Sequence, residues 1–315
     1  MKLCQSDNNV GAMQLRLIGV VVFYVVTTTA EIHAQELEPR AYSNAPIGMN
    51  FLLVGYQYSR GALIFDPSLP ITDADARVNN GLFGYVRAVD VAGKSAKVGI
   101  KIPYAVLSGD GYVSGVYRTR EANGIADPSF YFSANLLGAP ALNAEEFRNY
   151  KQETIVGLTF KLTPPLGAYE PNKLINLGTN RWSSESQVGV SRVFGRWTLE
   201  GMAALFLYSD NDNFDSGKTR HQDPIYSVQA NVVYSFKNDM WASIGTDYYF
   251  GGKTSVDGVP NNDALDNIRS GFTLALPVDK NHSFKIFGST GVSTRTGTDY
   301  DSIGIVWQYR WGGGF

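Results

Sequence analysis

The 315-residue chain carries 27 Lys and Arg against 29 Asp and Glu, a formal net charge of −2 that excludes a polybasic surface for nucleic acid. Its mean hydropathy of −0.14 excludes a bundle of transmembrane helices, each of which needs about 20 consecutive apolar residues. A transmembrane β-barrel stays open, because its strands alternate apolar and polar positions; 33 Gly, 18 Tyr and 17 Phe beside 18% charged residues suit one.

The first element is the apolar run from Leu17 to Val26, preceded by Arg16 and followed by Ala30 and Ala34 as cleavage positions. About ten apolar residues are too few to span a bilayer and match a secretory h-region. Residues 1–34 are therefore predicted to be a signal peptide, with Met13 an alternative start that gives a more usual length. Cys4, the single cysteine, falls inside this segment. The mature chain is thus expected to hold no disulfide and no Cys-ligated metal, and no cofactor is predicted. Residues 35–45 are expected to form a periplasmic N-terminal segment, and residues 46–315 an outer-membrane barrel.

From residue 46 onward the chain breaks into segments with period-2 alternation. The clearest is 94–106, where Ala96, Val98, Ile100, Ile102, Tyr104 and Val106 oppose Ser95, Lys97, Gly99 and Lys101. Successive side chains of a strand point to opposite faces, so these sets separate cleanly in a strand and scatter around a helix. Residues 151–163 set Val156, Leu158, Phe160 and Leu162 against Glu153, Gly157, Thr159 and Lys161. In 224–236, Tyr226, Val228, Val232, Tyr234 and Phe236 oppose Ser227, Gln229, Asn231 and Ser235. Residues 267–276 repeat the pattern, and the final segment sets Ile303, Ile305, Trp307, Tyr309 and Trp311 against Ser302, Gly304, Gln308 and Arg310. With weaker cases at 46–58, 80–90, 127–137, 181–193, 196–208, 240–250 and 283–293, about twelve antiparallel strands are predicted, an even number as bacterial barrels require.

Connection lengths agree. Long polar connections near 59–79, 107–126, 165–180, 209–223 and 251–266 alternate with mostly short turns such as Val91-Ala92-Gly93 and Asp279-Lys280-Asn281. That is the asymmetry of extracellular loops and periplasmic turns. The exception is 138–150, long for a periplasmic turn and a place for a short helical turn. A soluble β-sandwich is the competing fold, but its core could not accept the charges on the second face of these strands.

Counting back by twos from Phe315 gives Gly313, Trp311, Tyr309, Trp307 and Ile305. A closing strand with one apolar face, ending on an aromatic, resembles the signal read by the barrel-assembly machinery, an expected partner beside outer-membrane lipids. Several stretches are similar to the outer-membrane transporter family named for the meta-pathway of phenol degradation: ELEPRAYSNAPIGMNF (36–51), LGTNRW (177–182), GKTRHQDPIYSVQ (217–229) and GVSTRTGTDYDSIGIVWQYRWGGGF (291–315). The resemblance implies an outer-membrane barrel for uptake of small, often aromatic, compounds, and carries over no binding residues. In GIADP (124–128) Ala126 replaces a Gly common in such proteins, which affects local turn geometry.

Catalytic chemistry has little support. Of three histidines, His33 lies in the predicted signal, His282 in a short turn and His221 in a long loop near Asp223 and Ser227; no G-x-S-x-G or H-E-x-x-H occurs. The run 210–215 (DNDNFD) lacks the Gly and Glu of a calcium loop. No enzyme activity and no metal site are predicted. The informative residues are charges expected to face the lumen, since Lys or Arg at the bilayer midplane costs about 2–4 kcal/mol on the lipid face. These are Arg87, Lys97, Lys101, Lys161, Glu185, Glu200, Asp247, Arg269, Lys285 and Arg310, together with Glu153; Arg192 is expected on the outer face near the periplasmic end, snorkelling. Cations outnumber acids among them. The expected function is a passive channel or transporter for small solutes, aromatic or anionic; the alternative is a non-transport structural or surface-binding barrel.

Overall fold

A computed structural model of the chain describes residues 38–62, 71–297 and 299–314. The predicted signal peptide and Phe315 lie outside these residues. In chain order the elements are β1 (Met49–Ala62), β2 (Ile71–Val91), β3 (Lys94–Val113), β4 (Val116–Ile125), β5 (Ser129–Leu137), α1 (Ala144–Phe147) and β6 (Thr154–Thr163). There follow β7 (Ser183–Phe194), β8 (Trp197–Tyr208), β9 (Asn211–Phe214), β10 (Lys218–Gln222), β11 (Ile225–Ser235), β12 (Trp241–Gly251), β13 (Thr254–Val256) and β14 (Val259–Pro260). The chain ends with β15 (Leu265–Pro277), β16 (His282–Ser293) and β17 (Asp299–Gly312).

Twelve of these strands close a ring in the order β1-β2-β3-β5-β6-β7-β8-β11-β12-β15-β16-β17, every neighbour antiparallel. The seam joins the first and last strands, from Met49↔Gly312 to Ala62↔Asp299. Closure leaves no backbone edge in lipid, which is why a strand-built wall can cross a bilayer. The two faces differ as their alternation predicts. Val54, Tyr56, Phe83, Tyr104, Phe160, Val228, Ile244, Phe272 and Ile305 are exposed on the outside, while Ser191, Gln229, Asn231, Ser243 and Asn267 are buried on the inside. At the periplasmic end of the outer face, Tyr309 stacks between Trp307 and Trp311 (centroids 6.2 and 5.4 Å), and Trp307 Nε1 donates to His282 Nδ1 (3.2 Å). This is an interfacial aromatic girdle.

Three features lie beyond the predicted strands. The wall continues upward as tall strands: β3 pairs with β5 along Ala96–Lys101, then with β4 along Tyr104–Val113. β4 and β5 run along the same edge of β3, interrupted at Ala126-Asp127-Pro128, where proline has no N–H to give the ladder. The long polar connections at 209–223 and 251–266 supply β9, β10, β13 and β14, a separate four-stranded sheet. Phe214 of this sheet packs with Val113, Leu174, Ile175 and Val256, which sets it over the extracellular mouth. The long periplasmic connection does hold one helical turn, α1, capped by a reciprocal Asn143–Glu146 box.

The described part of the segment 35–45, residues 38–45, folds against the inner wall of the barrel. Its partners are inner-face side chains far away in sequence, which no local pattern encodes.

Candidate functional site: an obstructed, charged lumen

The inward segment, residues 38–48, crosses the lumen as a strap. It leaves β1 at Met49, and its contacts extend to β6, β7 and β8, the last being the sixth strand from β1 in either direction round the ring. Gly157 and Gly189 are cross-strand partners on the inner face. With no side chains there, the Tyr42 ring fits against the wall, 1% exposed; a Cβ at Gly157 would lie 2.0 Å from it and one at Gly189 2.3 Å. The Tyr42 hydroxyl donates to Gln187 Oε1 (2.8 Å). Arg40, held at φ 64, donates its backbone N–H to Glu200 Oε2 (2.8 Å), and Lys97 Nζ donates to the Ala41 carbonyl (2.9 Å). Ile47 N–H to Leu142 O (2.8 Å) and Gly48 N–H to Ala88 O (2.9 Å) anchor its base.

A second segment enters from the other end. Residues 164–182, which contain the predicted extracellular loop 165–180, fold inward so that Leu177 is buried against Ala76, Val78, Ala105, Leu107 and Tyr300, all on the inner face. Asp127, at the wall break, pins it. One carboxylate oxygen accepts from Gly167 N–H (2.7 Å); the other accepts from the Thr179 N–H and hydroxyl (both 2.7 Å). Arg120 adds a tether, donating to Glu170 Oε1 (2.7 Å) and the Ile175 carbonyl (3.2 Å). The guanidinium beside Glu170 holds its carboxyl below the usual carboxylate range. That ion pair therefore persists as the pH falls to the ordinary carboxylate pKa and is lost below it.

At the level of the strap, and between it and the loop, lie most of the predicted charges. Lys161 and Glu185 are cross-strand partners and form an ion pair. Asp247 and Arg269 are likewise partners across β12 and β15, both buried. Arg269 donates to Tyr300 O and Ser289 Oγ (both 2.9 Å), its guanidinium 3.6 Å from the Tyr300 ring centre. Glu200 is buried and accepts from Ser191 Oγ (3.0 Å) as well as from the strap. Lys101 faces inward opposite Ser129, and Lys285 inward beside Trp241, at 5.8 Å from its ring centre.

Three predicted charges do not line this space. Arg87 pairs with Val98 on the outer face and is exposed, a correction to its expected inward placement. The inner positions beside it, Val86 and Ala88, are apolar because Ala88 packs with Ala45 and Met49 at the base of the strap. Both faces of β2 are thus apolar there, and polarity does not mark the inside. Arg87 lies near the periplasmic end, where a long side chain reaches the interface. Arg87→Gln is expected to leave unitary current and ion selectivity unchanged in a planar bilayer; a changed selectivity would place Arg87 in the path. Arg310 faces inward but at the rim, its Nε donating to the Lys280 carbonyl of a periplasmic turn (2.6 Å). Glu153 precedes β6 and is exposed at the same rim. Arg192 lies on the outer face, 5.0 Å from the Phe194 ring, as expected.

The residues that shape the lumen and escaped sequence reasoning are Arg40, Tyr42, Asp127 and Trp241, with the Gly157–Gly189 pair. The signal available was two inward glycines at matching positions of successive strands, which mark a place where something else approaches the wall. Outside the lumen, His221 Nδ1 lies 2.7 Å from Asp210 and Nε2 3.6 Å from Asp223, all three exposed on the extracellular side. Ser227 is buried on the inner face of β11.

A closed twelve-stranded antiparallel barrel with an apolar exterior, an aromatic girdle and a charged interior is an outer-membrane β-barrel. Residues 61–307 match the family described as "Putative MetA-pathway of phenol degradation", and the chain belongs to that family. No curated protein sequence matches it. Among solved structures, the COG4313 outer membrane channel from Pseudomonas putida F1 is similar, with a TM-score of 0.74 at 20% identity over 88% of this chain and 100% of that one. The KdgM porin (TM-score 0.41, 10% identity, 82% and 98% of the two chains) and the CymD monoaromatic hydrocarbon channel (0.41, 9%, 84% and 88%) are more distant.

Proposed function

We propose that this protein is a narrow passive channel of the outer membrane for small solutes, with anionic compounds such as aromatic carboxylates as the substrate class. The observation that carries this reading is the way the lumen is obstructed. The strap and the inward loop are held by side-chain docking and a few hydrogen bonds, and neither is a ladder strand of the wall. Segments attached in this way narrow a path without sealing it permanently, which gives selectivity in place of a wide pore. The polar inner face behind them and the excess of cations over acids among the lumen charges suit an anionic solute. The structurally similar protein of Pseudomonas putida bears the name of an outer membrane channel, which is in keeping with this role.

Purified protein in a planar bilayer is expected to give small unitary currents with an anion-favouring reversal potential in a KCl gradient, and to pass benzoate into liposomes. The second reading, a surface-binding barrel that uses the extracellular sheet, draws on the exposed His221–Asp210 pair. It predicts no current, even from variants in which the strap is released.

A further inference from the structure

The lumen charges are not distributed evenly along the barrel. Lys97 is the fourth residue of β3 and Lys285 the fourth residue of β16, and each follows a periplasmic turn. Both face inward, so the two ammonium groups stand at corresponding heights near the periplasmic end. Their strands lie two places to either side of β1, from which the strap departs. The strap brings a third cation to the same level. The Arg40 guanidinium lies 5.6 Å from the centre of the Trp241 ring, against which Lys285 Nζ stands at 5.8 Å.

None of the three is ion-paired among the described residues. Lys97 donates to a strap carbonyl, Arg40 Nε to Ser43 Oγ (3.3 Å), and Lys285 is placed only against the indole. The acidic groups within electrostatic reach are Glu38, Glu200 and Asp239. Of these, Glu200 is already engaged by the Arg40 backbone and Ser191. The other lumen charges differ: Lys161 is ion-paired with Glu185, and Arg269 stands opposite Asp247. Three like charges gathered in one place repel one another, and a mobile anion among them relieves that repulsion.

Resting on the channel reading above, we propose that Lys97, Lys285 and Arg40 together form the anion-selecting step of the pore, a site that takes a carboxylate or another small monovalent anion. Trp241 is covered by the two cations, so the site recognises the negative charge and leaves the rest of the solute to other parts of the lumen. Because Arg40 belongs to the strap, the step has full strength only while the strap is docked.

The test is the reversal potential of the double variant Lys97→Glu/Lys285→Glu in a planar bilayer under a KCl gradient. Its permeability ratio of chloride to potassium is expected to fall about tenfold relative to wild type. The single variants Lys97→Gln and Lys285→Gln should give intermediate losses, and Lys151→Glu, an exposed periplasmic change, none. Heat-modifiable migration on gels establishes that each barrel is folded. The neutral single variants carry the test if the double variant fails to fold. Conducting variants with wild-type selectivity would overturn the three-cation site while leaving the channel intact. A complete absence of current, in wild type and in a strap-released variant alike, would overturn both.

Discussion

Tyr42→Ala is expected to raise the unitary conductance several-fold and to leave the barrel folded. The Tyr42 ring is almost wholly buried in the gap over Gly157 and Gly189, and its hydroxyl has a partner on the wall. Removing a buried aromatic ring costs about 3 kcal/mol or more, which here falls on docking of the strap, because no ladder bond of the wall involves Tyr42. A change of that size shifts the docked-to-released ratio by about a hundredfold. The remaining attachments, chiefly the Lys97–Ala41 and Arg40–Glu200 bonds, are single hydrogen bonds and compete with water. Gly189→Leu reaches the same end from the opposite side, filling the socket while keeping the ring. Single-channel recording of both variants is the check. Wild-type currents from both would mean that the strap does not obstruct the path.

Asp127→Ala is expected to free the inward loop. The carboxylate takes three hydrogen bonds from two points of the loop, at Gly167 and Thr179, and is 5% exposed. Hydrogen bonds to a buried charge contribute about 1.5–3 kcal/mol each, and their loss leaves two loop N–H groups without acceptors. The holds that remain include the packing of Leu177 and Ile175, the Arg120 tether and the Ala168 N–H bond to the Ile125 carbonyl (2.8 Å). Protease added to intact cells should cut within 164–182 in the variant and spare the wild type, and the unitary current should rise. Asp127→Asn is expected to fall between the two, since one amide oxygen can accept part of the set while the NH₂ faces a donor. A variant as protease-resistant as wild type would place the hold on the loop in its apolar contacts.

The wall was legible in the sequence because lipid and lumen demand opposite chemistry of alternate residues. Tyr226, Val228 and Val232 against Ser227, Gln229 and Asn231 state both faces at once, and the twelve predicted strands correspond to the twelve of the ring. Arg87 shows where that logic stops. At the base of β2 the inner face is covered by the strap, so Val86 and Ala88 are as apolar as the lipid side and alternation carries no sign. The strap itself was invisible for a different reason. Its fold is dictated by partners such as Gln187, 145 residues away, and its own polar sequence has no period. The loop sheet was hidden by composition: Gly, Asp and Asn read as irregular, yet Arg220 pairs with Val256 once the two loops meet. The sequence stretches that resemble the phenol-degradation family include the strap, the inner end of the loop at Leu177 and Thr179, and the Arg220 strand. The unusual parts of the lumen were thus marked without being explained.

The strap and β1 are one continuous piece of chain, and β1 is half of the closing seam. Its docking site on β7 and β8 is on the far side of the ring, and in an uncurled sheet it lies five or six strands away from β1. Tyr42 can reach its glycine pair only after the sheet has bent round. Contacts of such long sequence separation form late and cannot support an open intermediate. The strap is therefore a built-in indicator of completed assembly: its burial reports that β1 and β17 have come within reach of each other, before any solute has crossed.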